Sequence, residues 1–223
     1  MMHISVIISG GRIEDDFATH FLEKIRVEYG EGHVHIIAAD HGLEFCTRAG
    51  FHPDCIVGDF DSAAADALDP YLEDPDVEIR RFQPEKDWTD TEIAAELALE
   101  KGWKKIFILG GTGTRLDHVL GNCQILSLLE SKGAEGILVD ANNRITLHKG
   151  NFRIRKADAF GTYVSFFAWG GPVPELTLRG FCYDTEKLYL DEVGSRTVSN
   201  EIKAEEAEII CPEGHLLMIE SRD

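Results

Sequence analysis

PDCIVGDFDS, residues 53–62, joins an apolar run to a pair of carboxylates. Cys55-Ile56-Val57 has the pattern of a buried strand, and Gly58 opens a turn that carries Asp59 and Asp61 on either side of Phe60. In extended chain, residues i and i+2 project to the same side, so this spacing aims both carboxylates at one point just past the strand. Two hard oxygen ligands there suit Mg²⁺, which takes one or two carboxylates and leaves its other positions to water and phosphate. The same residues also suit a plain surface turn, with Ser62 capping the helix that follows.

The pattern recurs along the chain. His35-Ile36-Ile37-Ala38-Ala39 runs into Asp40, Asp87 and Asp90 follow another short run, and Ile106-Phe107-Ile108-Leu109 runs into Gly110-Gly111. If these runs are neighbouring parallel strands, their C-terminal ends share one edge, which is where open α/β sheets bind ligands. Acids distant in sequence then meet at one site.

The chain has 223 residues, of which 43% are hydrophobic, enough for one large domain or two small ones. With 22 Lys+Arg against 40 Asp+Glu, its formal charge of -18 argues against a nucleic-acid or anionic-membrane surface. Any bound phosphate must be met by metal ions and a few placed cations. No apolar run reaches the roughly 18 to 20 residues of a membrane span, and no signal-peptide pattern opens the chain, so a cytosolic protein is expected. The five cysteines have no C-x-x-C pair, which favours reduced, mostly buried thiols.

In chain order, a strand over 4–8 leads through Gly10-Gly11 to a helix with apolar spacing at Ile13, Phe17, Phe21 and Ile25. The glycine pair serves either a tight turn or a close approach to phosphate. A strand over 34–39 ends in Asp40, a helix cap or a ligand for metal or nucleotide. The Ala-rich stretch 63–72 reads as a helix, and a strand follows over 77–82. Thr89 and Glu92 have capping-box spacing, which puts Asp90 in the first turn of a helix running to Lys101. Lys86 either neutralises a phosphate oxygen or pairs with Asp87.

After a strand over 104–109, residues 110–118 read GGTGTRLDH. Their glycines and threonines, Gly111 and Thr112 among them, offer backbone N–H groups and hydroxyls ahead of a helix over 119–130. Arg115 can fork onto phosphate. Asp117 can orient Arg115, accept a proton or cap the helix. Neither G-x-G-x-x-G nor G-x-x-x-x-G-K-[ST] is present. Beyond Asn142-Asn143 the texture changes to short runs separated by Gly, Pro and Asn turns, which suggests an all-β sandwich. The expected fold is therefore α/β: a Rossmann-like, mostly parallel, three-layer domain over 1–142, followed by a β-sandwich domain over 143–223.

Five blocks carry a family resemblance: Ala39-Asp40-His41-Gly42, Gly58-Asp59-Phe60-Asp61-Ser62, Glu85-Lys86-Asp87-Trp88-Thr89-Asp90, residues 110–118, and Val198-Ser199-Asn200-Glu201. Taken together, in this order, they make the chain resemble the thiamine pyrophosphokinases. The resemblance implies an ATP:thiamine diphosphotransferase that makes thiamine diphosphate and AMP. It implies a homodimer, with ATP and Mg²⁺ on the α/β domain and thiamine near the subunit interface. It assigns Asp59, Asp61 and Asp90 to the Mg²⁺ site, Asp40 to a further polar contact, and Lys86 and Arg115 to phosphate. Asp117 becomes a catalytic or positioning acid, and Ser199 and Asn200 fall where the family contacts thiamine. Two departures stand out: His41 replaces the usual Gly, and the stretch 181–190 matches loosely. One rival is a haloacid-dehalogenase-like phosphatase with Asp59 as nucleophile, although its D-x-D signature usually sits in the first strand. The other is a non-catalytic nucleotide or metal sensor.

Overall fold

The computed structural model describes residues 2–59, 65–82 and 87–223, with only the backbone at 65 and 66. Asp61 and Lys86 lie outside the described residues. The chain divides into two compact units, Met1–Ala141 and Asn142–Asp223.

The first unit runs β1 (Ile4–Ile8), α1 (Asp15–Tyr29), β2 (Val34–Ala39), α2 (Gly42–Ala49), β3 (Cys55–Gly58), α3 (Ala65–Leu68), β4 (Glu78–Arg81), α4 (Asp90–Glu100), β5 (Lys105–Leu109), α5 (Leu116–Ser131) and β6 (Glu135–Val139). All its strand pairs are parallel, in the order β6-β5-β1-β2-β3-β4. Every residue of β1 is buried, so the strand shows no polar alternation. Both faces of such a strand must be covered. The cover is two helix pairs: α1 packs on α2 and α4 on α5, and members of both pairs lie against β1 or β2.

Local chemistry sets the helix ends. The Thr89 hydroxyl accepts a hydrogen bond from Glu92 N at 3.2 Å, the capping geometry the spacing predicts. A Cβ on Gly42 would fall 1.9 Å from the Ile8 carbonyl oxygen, so only glycine lets α2 start against β1. Two expectations change. The helix expected over 63–72 is described only over Ala65–Leu68, then tightens into a 3₁₀ turn at Asp69–Tyr71 that has Pro70 near its start. The helix expected over 119–130 begins earlier, at Leu116, because Arg115 holds an extended cap conformation and its carbonyl accepts Val119 N. Asp117 and His118 therefore belong to its first turn.

The second unit contains β7 (Asn143–Lys149), β8 (Phe152–Arg155), β9 (Tyr163–Ala168), β10 (Val173–Arg179), β11 (Thr185–Leu190), β12 (Asn200–Glu201), β13 (Glu206–Ile210) and β14 (His215–Ser221). Its strand pairs are antiparallel, in the orders β12-β9-β14-β7 and β11-β10-β13-β8. Val164, Phe166 and Leu216 from the first set share one core with Leu176, Leu178 and Ile209 from the second. The fully buried Glu220 carboxylate is met by Arg144 at 2.6 and 2.7 Å and by Phe160 N at 3.0 Å. A buried charge persists only when paired in this way.

No helix among the described residues is long and apolar enough to cross a membrane. All five cysteines are free, and Cys182 alone is exposed. Burial pushes the Cys46 thiol up to about 12 and those of Cys55 and Cys123 to about 11. Thiol and not thiolate is then present at neutral pH, which slows alkylation in addition to the lack of access. Iodoacetamide is expected to label the native protein once, at Cys182, and all five cysteines after denaturation. Labelling of a second cysteine in the native state would contradict this packing.

Candidate active site

The strand order reverses between β1 and β5, because the chain steps outward through β2, β3 and β4 before returning to β1's other side. At such a reversal the loops leaving the two strands diverge and open a crevice at their C-terminal ends. A cleft of about 400 Å³ lies there, lined from the ends of β1, β2 and β5 and the starts of α4 and α5.

Three residues, Ser9, Gly11 and Asn122, fix its walls. Ser9, just past β1, donates N–H to Leu109 O at 2.8 Å, and its hydroxyl bonds the Thr91 hydroxyl at 2.7 Å in a buried pair. This pair ties the first turn of α4, and hence Asp90, to the tip of β1. Gly11 packs against the loop after β5 so closely that a Cβ would sit 2.2 Å from Gly110 O and 2.3 Å from Gly113 O. From α5, the buried Asn122 donates Nδ2–H to Gly111 O at 2.8 Å and holds that loop from the other side.

Charge is mixed across the cleft. Asp40 follows β2 with φ of 52°, and its Oδ2 meets His41 Nδ1 at 2.8 Å. Arg115 donates to both Asp117 oxygens, at 3.2 and 2.6 Å. The guanidinium beside Asp117 holds its carboxyl below the usual carboxylate range. Asp117 also accepts His118 N at 3.0 Å, so it serves the start of α5 as well as Arg115.

Of the residues singled out from sequence, Asp40, Asp90 and Arg115 line this cleft. Asp59 follows the last residue of β3, on the same sheet edge, but is not part of the cleft wall. Gly111 and Thr112 are not part of it either; the loop presents Gly110, Gly113 and Thr114 instead, because Gly111 turns inward onto Leu138 and Asn122. Asp117 stands behind Arg115, outside the wall. Ser9, Arg12, Thr91 and Asn122 are wall residues that pattern reading missed. Arg12 carried a usable signal, a cation directly after a glycine pair at a strand end. The Ser9–Thr91 contact spans 82 residues and carried none.

In the second unit, Ser199 is exposed with φ of 57°, and its N–H donates to Ser165 Oγ. Asn200 is buried. Its Oδ1 accepts Tyr183 N and Glu201 N at 3.0 Å each, and its Nδ2 donates to Tyr183 O at 2.8 Å. It therefore clamps the turn that carries the exposed Tyr183.

A family model described as "Thiamin pyrophosphokinase, catalytic domain" matches residues 28–138, and one described as "Thiamin pyrophosphokinase, vitamin B1 binding domain" matches residues 151–216. The thiamine pyrophosphokinase of Bacillus subtilis (strain 168) is 33% identical over 196 residues, covering 87% of this chain and 91% of that protein. The chain belongs to the thiamin pyrophosphokinase family. The crystal structure of thiamine pyrophosphokinase from Bacillus subtilis superposes with a TM-score of 0.84 at 29% identity, over 99% of both chains. That from Geobacillus thermodenitrificans gives 0.80 at 32% identity, over 99% of this chain and 98% of its own. Within the family's frame, Asp40, Asp59, Asp90, Arg115 and Asp117 all fall in the catalytic match, and Ser199 and Asn200 in the vitamin B1 binding match. Neither a dehalogenase-like phosphatase nor a non-catalytic sensor is the family matched.

Proposed function

We propose that the protein is an ATP:thiamine diphosphotransferase that converts thiamine to thiamine diphosphate and releases AMP. The observation that carries this reading is one cleft, at the β1/β5 reversal of a family member, where acids and an arginine flank a glycine-rich loop. The parallel sheet with its two helix pairs favours a Rossmann-like, three-layer catalytic domain. The two sets of antiparallel strands over one core favour a thiamine-binding sandwich, with the division near residue 142.

The reaction is in-line attack of the thiamine primary hydroxyl on the β-phosphorus of ATP. The new O–P bond forms as the bond from that phosphorus to the bridging oxygen breaks, and AMP leaves with that oxygen. Such transfers ask the protein for positioning and charge stabilisation, with little covalent work. The inward packing of Gly11 and Asn122 holds the 110–113 loop rigid beside the phosphates. Arg115, aligned by Asp117, meets developing charge. Asp117's bidentate bond with Arg115 favours a positioning role for it, and Asp61, Asp90 and Asp117 are the candidate bases for the hydroxyl proton. Lys86 and the exposed N–H groups of the loop, with Thr112 nearby, add phosphate contacts.

Among the described residues, no group of three or more His, Cys, Asp or Glu is placed to hold a metal. Mg²⁺ does not need one, since one or two carboxylates suffice when phosphate and water supply the rest. Asp59 and Asp90 lie on the same sheet edge and are the hard oxygen donors this ion takes, so the donor set fits. They, with Asp61, would hold it, and when bound it neutralises phosphate charge. Ser199 would contact thiamine directly, and Asn200 would hold the neighbouring turn.

A homodimer fits the apolar side chains left exposed on each unit: Leu116 and Leu120 on α5, and Tyr183, Tyr189 and Val193 in the second. Thiamine would then lie near the subunit interface. Free thiols and a nucleotide co-substrate favour the cytoplasm. The purified protein with ATP, Mg²⁺ and thiamine is expected to form AMP, and to form none without thiamine. ADP and phosphate released regardless of thiamine, or a phosphoaspartyl adduct trapped at Asp59, would refute the reading.

A further inference from the structure

The geometry points to Arg12 as a phosphate-binding residue of the cleft, supplying the unneutralised guanidinium that receives the polyphosphate of the nucleotide. The inference rests on the ATP-dependent reading above, and it adds a residue that precedes the matched catalytic region, 28–138.

Two guanidiniums line the cleft, Arg12 and Arg115. They are not equivalent. Arg115 is bonded to both oxygens of Asp117, so the pair presents no net charge, and turning its fork to a phosphate means giving up a carboxylate. Arg12 is exposed and has no ion-pair partner among the described residues. To meet a phosphate it gives up only water. The chain as a whole carries -18 and repels a polyanion, so the few cations placed in this cleft decide whether one binds.

Arg12's position is also set. Its N–H donates to Gly113 O at 3.2 Å, and its Cβ lies 4.0 Å from where a Cβ on Gly113 would stand. The side chain therefore departs from beside the glycine-rich loop, between the ends of β1 and β5, where ligands of such sheets place their phosphates. A planar fork on a fixed backbone suits two oxygens of one phosphate, which a lysine cannot reproduce.

The test is binding of α,β-methylene-ATP, which resists transfer at the β-phosphorus, and of adenosine, measured calorimetrically without thiamine. Arg12→Ala keeps the backbone N–H and is expected to melt with the wild type. It should bind α,β-methylene-ATP about 10- to 100-fold more weakly, the worth of one charge-assisted contact, and adenosine as the wild type does. Arg12→Lys should fall between. Lys24→Ala, which removes the same charge from an exposed position on α1, should match the wild type. Binding by Arg12→Ala within about twofold of wild type, or an equal loss in Lys24→Ala, would overturn the inference. Parallel assays separate the two readings. If the wild type forms thiamine-dependent AMP and Arg12→Ala binds normally, only Arg12 is wrong; if the wild type forms none, the transferase reading fails, whatever Arg12 does.

Discussion

Asp90→Asn is expected to lower thiamine-dependent AMP formation about 10³-fold while the protein stays folded. Asp90 opens α4, where an acid interacts favourably with the helix dipole, and the asparagine costs only about 0.3–1 kcal/mol there. The Thr89 cap and the Ser9–Thr91 hydroxyl pair flank it and do not depend on its charge. The substitution keeps the side chain's shape and removes one oxygen anion from the cleft. If Asp90 holds Mg²⁺ or takes the hydroxyl proton, turnover collapses in either case. The two roles separate on metal titration: a lost ligand raises the Mg²⁺ concentration needed for half-maximal rate, and a lost base does not. Turnover within about tenfold of wild type at every Mg²⁺ concentration would remove Asp90 from the reacting centre.

Much of this arrangement was legible in sequence because its signals were local. The run Ile4–Ile8 is buried on both faces and Val34–Ala39 is buried except at the half-buried His35, so they read as strands without alternation. A carboxylate or glycine after each run placed the candidate site at their C-terminal ends. The boundary of α5 was blurred because Leu116 and Leu120 are exposed, at 77% and 61%, so apolar spacing there does not track the core. The two-residue β12 was too short for any period to register.

The site was less legible than the fold, for a physical reason. A motif identifies which side chains lie near a strand end, and tertiary packing then decides which of them face the ligand. Gly111 and Thr112 sit in a loop whose other residues line the cleft, yet Gly111 is turned inward by Leu138 and Asn122. Arg115 and Asp117 were each open to several roles until their bidentate pairing made them one unit. Asn200, expected near thiamine, is consumed in clamping the Tyr183 turn.

Gly11→Ala is expected to cut turnover about 10²-fold and to destabilise the protein by about 1–3 kcal/mol. Its added methyl would meet two backbone carbonyl oxygens, Gly110 O at 2.2 Å and Gly113 O at 2.3 Å, and neither can swing aside as a side chain does. The loop after β5 must then move away from β1, carrying Gly113 and its bond to Arg12 N with it. A shift of about 1 Å in a loop that shapes the cleft is enough for a loss of this size. Two other glycines calibrate the result. At Gly10 the first contact is the far end of the Asp40 side chain, at 3.0 Å, so Gly10→Ala should cost much less. At Gly121, within α5, nothing lies within 4 Å, and alanine should stabilise the helix by about 0.5–1 kcal/mol. The ordering matters more than any single value. If Gly11→Ala melts and turns over like Gly10→Ala, the two loops do not pack directly, and the close approach that shapes the cleft is lost as an explanation.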